Sequence, residues 1–392
     1  MDIFEKCTNF TQAREAMEGG FYPYFIPLDE NEGTEVEYEG NRLIMCGSNN
    51  YLGLTTHPKV KQAAVDAVNR FGTSCTGSRF LNGTLALHER LEAELADFVG
   101  KEEALVFSTG MQVNLGTISA LVGRDDVVIL DKDDHASIVD GARLGYGKIE
   151  RFRHNDPEHL ERVLKSIPDD QGKLVVVDGV FSMGGDLAAL DTIVPMAEKY
   201  GARVMVDDAH GMGVTGDGKG TAEEFGLTDR VDLIMSTFSK SFASLGGFIA
   251  GDDDVIHYIK HTARSLIFSA SIPAANAAAA LAALDIIRNE PERVRRVNEI
   301  GERVRTELHG MGFNVGESVT PIVPIIIGDD TKTFMSWKSL FENGVFVNPV
   351  ISPAVPQGLQ LLRTSYMATH TDEQITRVLE TYQKVGKEIG II

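Results

Sequence analysis

Val206-Asp207-Asp208-Ala209-His210 and Ser236-Thr237-Phe238-Ser239-Lys240 set a carboxylate, an imidazole and a lysine at the ends of successive apolar runs. Open α/β sheets present their ligand-binding groups just beyond the carboxyl ends of the strands, so position alone makes these side chains candidates. Lys240 lies between Phe238 and Phe242, ahead of the apolar stretch Leu245–Ala250, with no acidic neighbour nearby. Most lysines are solvated, but this context is not that of a surface residue. Burial lowers a lysine pKa and favours the neutral amine. A neutral amine condenses with an aldehyde, and a strand-end carboxylate keeps a pyridine nitrogen protonated; together these are the needs of a pyridoxal phosphate (PLP) site.

Outward from these motifs, short β-branched runs alternate with segments of helical apolar spacing from about residue 57 to 285. The strands expected are Ala104–Phe107, Val127–Leu130, Leu174–Val177, Arg203–Val206, Leu233–Met235 and Gly247–Ala250. That alternation predicts an α/β fold with a mostly parallel sheet wrapped in helices. An alanine-rich helix, Ala274–Arg288, precedes Glu290-Pro291-Glu292 and a charged helix running to about Gly310. Beyond it, Ile322–Ile327, Val345–Val347 and Leu359–Arg363 alternate with helical Lys332–Phe341 and Asp372–Ile389, the pattern of a small α+β domain. The expected organisation is an N-terminal segment 1–48, a cofactor-binding large domain 49–289 and a small domain 290–392.

Each candidate competes with a plainer role. Asp207 follows its strand directly and is either a core aspartate capping the next turn or the partner of a buried cation. Asp208 points the other way by strand alternation. His210 is three residues past Asp207 and in reach of the same ring, and His135, in Asp134-His135-Ala136-Ser137, ends another strand where it can stack on a planar ring. A metal site from the two histidines and the aspartates has no H-x-x-x-H or H-x-E spacing to support it. Phosphate finds backbone donors where Ser108-Thr109-Gly110-Met111 turns from strand into helix, with the hydroxyls of Thr237 and Ser239 close by. Gly211-Met212-Gly213-Val214-Thr215-Gly216 matches G-x-G-x-x-G, but another glycine-rich stretch follows it where a dinucleotide fold needs a helix; it is a loop.

The net charge of -20 over 392 residues excludes a nucleic-acid surface, and no basic run suggests a polybasic membrane patch. Cys7, Cys46 and Cys75 form neither a disulfide framework nor a zinc motif, which fits a reducing cytoplasm. The charged N-terminus lacks an apolar signal core, and no stretch approaches the ~20 apolar residues of a spanning helix.

VDDAHG, STFSKSFASLGGF, DHASIVDGAR, GSNNYLGL, FSMGGD and LLRTSYMATHT together resemble the α-oxoamine synthases over nearly the whole chain. Those enzymes use PLP to condense an amino acid with an acyl-CoA thioester and release carbon dioxide. GSRFLNGT (77–84) and TFSKS sharpen the resemblance towards members that join L-serine to a long-chain acyl-CoA, giving 3-ketodihydrosphingosine, rather than those that use glycine and acetyl-CoA. The resemblance implies a fold-type I PLP transferase and a homodimer with shared active sites. It implies that Lys240 forms the Schiff base, Asp207 pairs with the pyridine nitrogen, His210 contacts the phenolate and His135 stacks over the ring. By the same pattern Ser182 lies near the cofactor, Thr237 and the turn Thr109, Gly110, Met111 hold phosphate, and Ser269 or Ser271 reaches it from the partner subunit. Arg363 and Asn49 bind the substrate carboxylate. Two positions depart from the pattern: Met111 stands where an aromatic residue is common, and Ile26 follows Tyr24-Phe25 where related bacterial chains carry arginine. Association with a membrane surface, useful for a long-chain product, is left open, as is a non-catalytic partner subunit or a PLP aminotransferase.

Overall fold

The computed structural model describes residues 2–392. Its central sheet contains β1 (Glu103–Phe107), β2 (Val127–Asp131), β3 (Lys148–Phe152), β4 (Lys173–Asp178), β5 (Arg203–Asp207), β6 (Leu233–Thr237) and β7 (Gly247–Gly251), in the order β1-β7-β6-β5-β4-β2-β3. β7 runs antiparallel to both β1 and β6, and every other pairing is parallel. Six strands therefore share one direction, and the carboxyl ends of β1, β2, β4, β5 and β6 lie along a single edge.

The strands are apolar because both faces are covered. Val127, Ile129, Val175, Val177, Val204 and Val206 enter one core, while Val128, Leu130, Leu174, Val176 and Met205 alternate into the other. Such two-sided burial turns a strand into a continuous hydrophobic run. The six strands expected for this sheet are all present, each extended by one or two residues. β3 was not anticipated: Lys-Ile-Glu-Arg-Phe sits at the sheet edge, where its charges reach water.

A third core collects Ile300, Val304 and Leu308 from helix Pro291–Met311 with Val323, Leu362, Ile375 and Leu379. Val294 and Val297 of the same helix enter the first core, so one rigid rod serves both. Ile322–Ile326, Leu361–Ser365 and Asn348–Val350 form a three-stranded antiparallel sheet. The strand expected at Leu359–Arg363 begins two residues later, because buried Gln360 is turned aside to donate to Asp330 and to accept from the backbone N–H groups of Ile327 and Gly328. The N-terminal segment also holds strands; Asn41–Met45 pairs parallel with Val345–Phe346, and Ile26 packs against the small-domain core. Among the described residues no helix is long and apolar enough to cross a membrane.

Asp208, wholly buried, anchors the glycine-rich loop after β5. Its carboxylate accepts from the backbone N–H and the hydroxyl of Thr221. Gly220, at φ +103°, packs so closely that a Cβ there would lie 2.1 Å from Asp208 Oδ2. The G-x-G-x-x-G match is thus a loop folded over a carboxylate. Asp208→Ala is expected to cost about 2–4 kcal/mol by stranding two buried donors, seen as a lower urea midpoint, and Asp208→Asn less.

Candidate active site

A cavity of ≈ 240 Å³ opens at the shared strand edge, lined by Thr109, Gly110, Met111, His135, Asp178, Asp207, His210, Thr237, Ser239 and Lys240 among others. At one end lies the N-terminus of α1 (Gly110–Leu121). Thr109 is its N-cap, accepting from Gln112 N at 3.1 Å, which leaves the first N–H groups facing the cavity. Thr237 Oγ1 and Ser239 Oγ are 2.9 Å apart beside it. Gly110 is required here: a Cβ would meet Thr237 Oγ1 at 2.8 Å. Met111 is half-exposed at this rim, so its side chain leaves the turn's backbone donors undisturbed.

On the floor, Asp178 and Asp207 are register partners at the ends of β4 and β5. Asp207 is buried and accepts from Asn114 Nδ2 at 2.7 Å and Ala209 N at 3.1 Å. Asn114 Nδ2 also donates to Ser137 Oγ at 2.8 Å, and Ser137 Oγ lies 2.7 Å from His135 Nδ1. His135, Ser137, Asn114 and Asp207 are thereby one hydrogen-bonded chain. Burial, reinforced by Asp207, pushes the Asp178 carboxyl far above the usual carboxylate range, and burial with Asp178 beside it does the same to Asp134. Each also accepts a backbone N–H: His135 N to Asp178, and Asp178 N to Asp134.

Burial lowers the Lys240 amine to about 8, against the pull of Asp207 and Asp178. His210 is held well below its ordinary value by burial and by the cations Lys240 and Arg363, so its ring is neutral. Tyr51 Oη lies 2.7 Å from His210 Nδ1, which leaves Nε2 as the ring's other polar atom. His135 is held low by burial too.

Lys240, Asp207, His210, His135, Thr237, Ser239 and the turn Thr109–Met111 share the cavity, whereas Arg363, Asn49, Ser182, Ser269 and Ser271 lie outside its lining. Arg363, buried on strand Leu361–Ser365, donates from Nε to the Ser182 carbonyl at 2.7 Å and approaches Tyr51 Oη at 3.5 Å. Tyr51 Oη also lies 3.3 Å from Asn49 Oδ1, bringing Asn49 to the same corner. Ser271, however, is buried and commits its hydroxyl to the Gly83 carbonyl of its own chain. Ser269 accepts from Gln112 and stays partly exposed. Tyr51, Asn114, Ser137 and Asp178 were not singled out from the sequence as site residues. Asp178 carried a usable signal, since it ends the run Lys173–Asp178 as Asp207 ends β5; Tyr51 and Ser137 lie in GSNNYLGL and DHASIVDGAR and Asn114 three residues past Met111, without any mark of their partners.

Residues 42–381 match the aminotransferase class I and II family. The chain belongs to that family. Within it, the chain is 50% identical to a serine palmitoyltransferase of Sphingobacterium spiritivorum over 390 residues, 99% of this chain and 98% of that one. It is 49% identical to a serine palmitoyltransferase of Bacteroides thetaiotaomicron over 389 residues, 99% of each. Its fold superposes on a serine palmitoyltransferase of S. paucimobilis with a bound PLP–myriocin aldimine at a TM-score of 0.97, with 38% identity and full coverage of both chains. The architecture is the fold-type I transferase fold of those proteins.

A lysine at about 8 is a tenth neutral at pH 7 and nine-tenths neutral at pH 9. Trinitrobenzenesulfonate labelling of Lys240 in the cofactor-free protein should accelerate about tenfold over that interval. An acceleration near a hundredfold, that of an ordinary lysine, would contradict the lowered pKa.

Proposed function

We propose that this protein is a PLP-dependent acyltransferase that condenses L-serine with a long-chain acyl-CoA, palmitoyl-CoA, releasing coenzyme A and carbon dioxide to give 3-ketodihydrosphingosine. The observation that carries the proposal is one cavity joining a helix N-terminus, a buried carboxylate with no ion pair among the described residues and a low-pKa lysine, with a buried arginine linked through Tyr51 to His210 of its lining, in a chain half identical to serine palmitoyltransferases. The donor set fits the cofactor. When bound, PLP supplies an aldehyde that takes up amines and a ring that accepts the electron pair left at Cα.

The start of α1, with Thr109, Gly110 and Met111, would receive the phosphate together with the hydroxyls of Thr237 and Ser239. Asp207, fixed by Asn114, would hold the proton on the pyridine nitrogen. Neutral His210, oriented by Tyr51, would offer Nε2 to the phenolic oxygen, with Ser182 near the same edge and His135 covering the ring face. Lys240 would anchor the cofactor and, once freed by the incoming amino acid, accept the Cα proton; its pKa leaves an appreciable neutral fraction at neutral pH. Arg363, with Asn49 beside Tyr51, would grip the substrate carboxylate through its uncommitted guanidinium N–H groups.

A second copy of the chain completes the unit in this proposal. Exposed Phe80, Leu81, Met111 and Phe268 belong to segments that surround the phosphate end, and the 268–271 segment is tied to that turn through Ser108 and Gln112. Work in the cytoplasm suits three free cysteines, and exposed Ile3, Phe4 and Phe10 suit peripheral contact with a membrane. Convergence of Lys240, Asp207, His210 and His135 on one cavity argues against a non-catalytic subunit.

Thiol release from a panel of amino acids and acyl-CoAs tests the assignment. L-serine with palmitoyl-CoA is expected to exceed glycine with acetyl-CoA by about 100-fold or more in kcat/KM. Faster turnover of the second pair would make the chain a glycine C-acetyltransferase, and a keto acid formed without acyl-CoA would make it an aminotransferase. Lys240→Ala should abolish turnover in every pairing, and borohydride reduction of the holoenzyme should label Lys240 rather than Lys132 or Lys260.

A further inference from the structure

His154 lies outside the cavity yet joins the loop that carries His135 to the turn that carries Ser182. Its Nδ1 is 3.1 Å from Asp131 Oδ1 and its Nε2 is 2.9 Å from Asp186 Oδ2. Ionised carboxylates only accept hydrogen bonds, so both ring nitrogens must carry hydrogen and the ring is an imidazolium. Burial pushes its pKa down, but the bonds to Asp131 and Asp186 outweigh that and lift it to about 10; Asp133, 3.9 Å away, adds a third carboxylate. The sign is clear: a histidine raised this far keeps its proton, and these contacts, from below its ordinary value of 6.5 up to about pH 10.

The two carboxylates belong to different parts of the site. Asp131 ends β2 and, besides His154, accepts the backbone N–H groups of Asp133 and Asn155, which fixes the start of the loop carrying His135. Asp186 closes a tight turn in which Phe181 N donates to the Asp186 carbonyl and Gly185 N to the Phe181 carbonyl. The His154 ring meets Phe181 edge-on at 4.4 Å, and Asn155 ties down Asp186 and the Leu187 carbonyl. The far side of the turn is wedged against the small domain: Thr320 Oγ1 and Val319 N both donate to the Gly185 carbonyl, and a Cβ on Gly185 would lie 2.3 Å from the Ile322 carbonyl oxygen. Between these anchors sits Ser182, whose carbonyl receives Arg363 Nε.

We propose that His154 is a positioning residue for the amino acid substrate, the cation that pins the 181–186 turn so that the Ser182 carbonyl holds the Arg363 guanidinium beside Tyr51, whose hydroxyl contacts His210 of the cavity lining. The proposal rests on the reading of Arg363 as the carboxylate site. It gives the FSMGGD motif a role in substrate geometry in addition to the nearness of Ser182 to the cofactor. His154 itself touches neither the cavity lining nor the reacting atoms, so its loss should act on amino acid affinity before anything else.

The test is a titration of the cofactor absorbance of the holoenzyme with L-serine, in the wild type, His154→Ala, Arg363→Ala and the double variant, with cofactor content and thermal midpoint measured alongside. His154→Ala is expected to weaken L-serine about tenfold, with cofactor retained and the KM for acyl-CoA unchanged. In the Arg363→Ala background the His154 substitution should have no further effect, because the two act through one contact. A general structural role would instead lower affinity equally in both backgrounds and release cofactor, and that result overturns the proposal. If Arg363→Ala weakens L-serine and His154→Ala does not, the proposal for His154 alone falls; if Arg363→Ala leaves L-serine affinity unchanged, the carboxylate reading falls with it. Should His154→Ala fail to fold, His154→Gln, which keeps a donor towards one carboxylate, carries the same comparison and should give an intermediate loss.

Discussion

Carboxylates crowd the edge on which this site is built. Six strands of the central sheet share one direction, and β2, β4 and β5 end on Asp131, Asp178 and Asp207, the last two directly opposite each other. Buried carboxylates without partners are costly, and like charges at adjacent strand ends make the cost larger. The fold resolves the conflict residue by residue. Asp131 takes the His154 imidazolium, Asp178 and Asp134 are driven towards their protonated forms, and Asp207 stays bound to neutral Asn114. Asp207, hydrogen-bonded to a neutral amide with no ion-pair partner among the described residues, thereby faces the cavity with Lys240 and its lowered pKa close by.

One helix then sets the scale of the site. Gly110 and Asn114 are four residues apart on α1, hence on the same face. In the proposed reading the helix N-terminus receives the phosphate, and one turn further on the Asn114 amide fixes Asp207 and, through Ser137, His135. The separation between the anion site and the ring-binding residues is therefore a helical repeat, not a loop dimension. The close approach of Gly110 to Thr237 locks that ruler against β6.

Much of this was legible in the sequence, for a physical reason. Strands buried on both faces announce themselves as apolar runs, and the residue that ends each run falls at the functional edge; Asp207, Lys240 and His135 were found that way. Alternation also separated Asp207 from Asp208, which turns away to Thr221. β3 escaped because an edge strand needs no continuous apolar run, and Leu361–Ser365 was displaced because buried Gln360 finds a partner in Asp330. Tyr51 and His210 are 159 residues apart, Asn114 and Asp207 93, and Arg363 and Ser182 181. Such polar contacts leave no local periodicity, so no window of sequence contains them.

The charge distribution bears on how an anionic substrate reaches this edge. With a net charge of -20 the long-range field repels an amino acid carboxylate or a coenzyme A phosphate, and screening removes that field beyond about 8 Å at physiological salt. Capture must then rest on cations left unneutralised at short range. Many of the arginines elsewhere are paired, among them Arg79 with Glu92, Arg203 with Asp232, Arg230 with Glu198 and Arg288 with Glu94 and Asp97. Arg363 is different: it is buried, its protein contacts are the neutral Ser182 carbonyl and Tyr51 hydroxyl, and it has no carboxylate partner among the described residues. A guanidinium held by neutral acceptors keeps its full attraction for an incoming carboxylate, and burial strengthens that attraction relative to water. The same turn that supplies the neutral acceptor carries its own acid, Asp186, away from Arg363 and towards His154. With Asp186 committed to His154 and Asn155, the turn presents to Arg363 only a neutral carbonyl, and the guanidinium keeps its charge uncompensated among the described residues in an otherwise acidic protein.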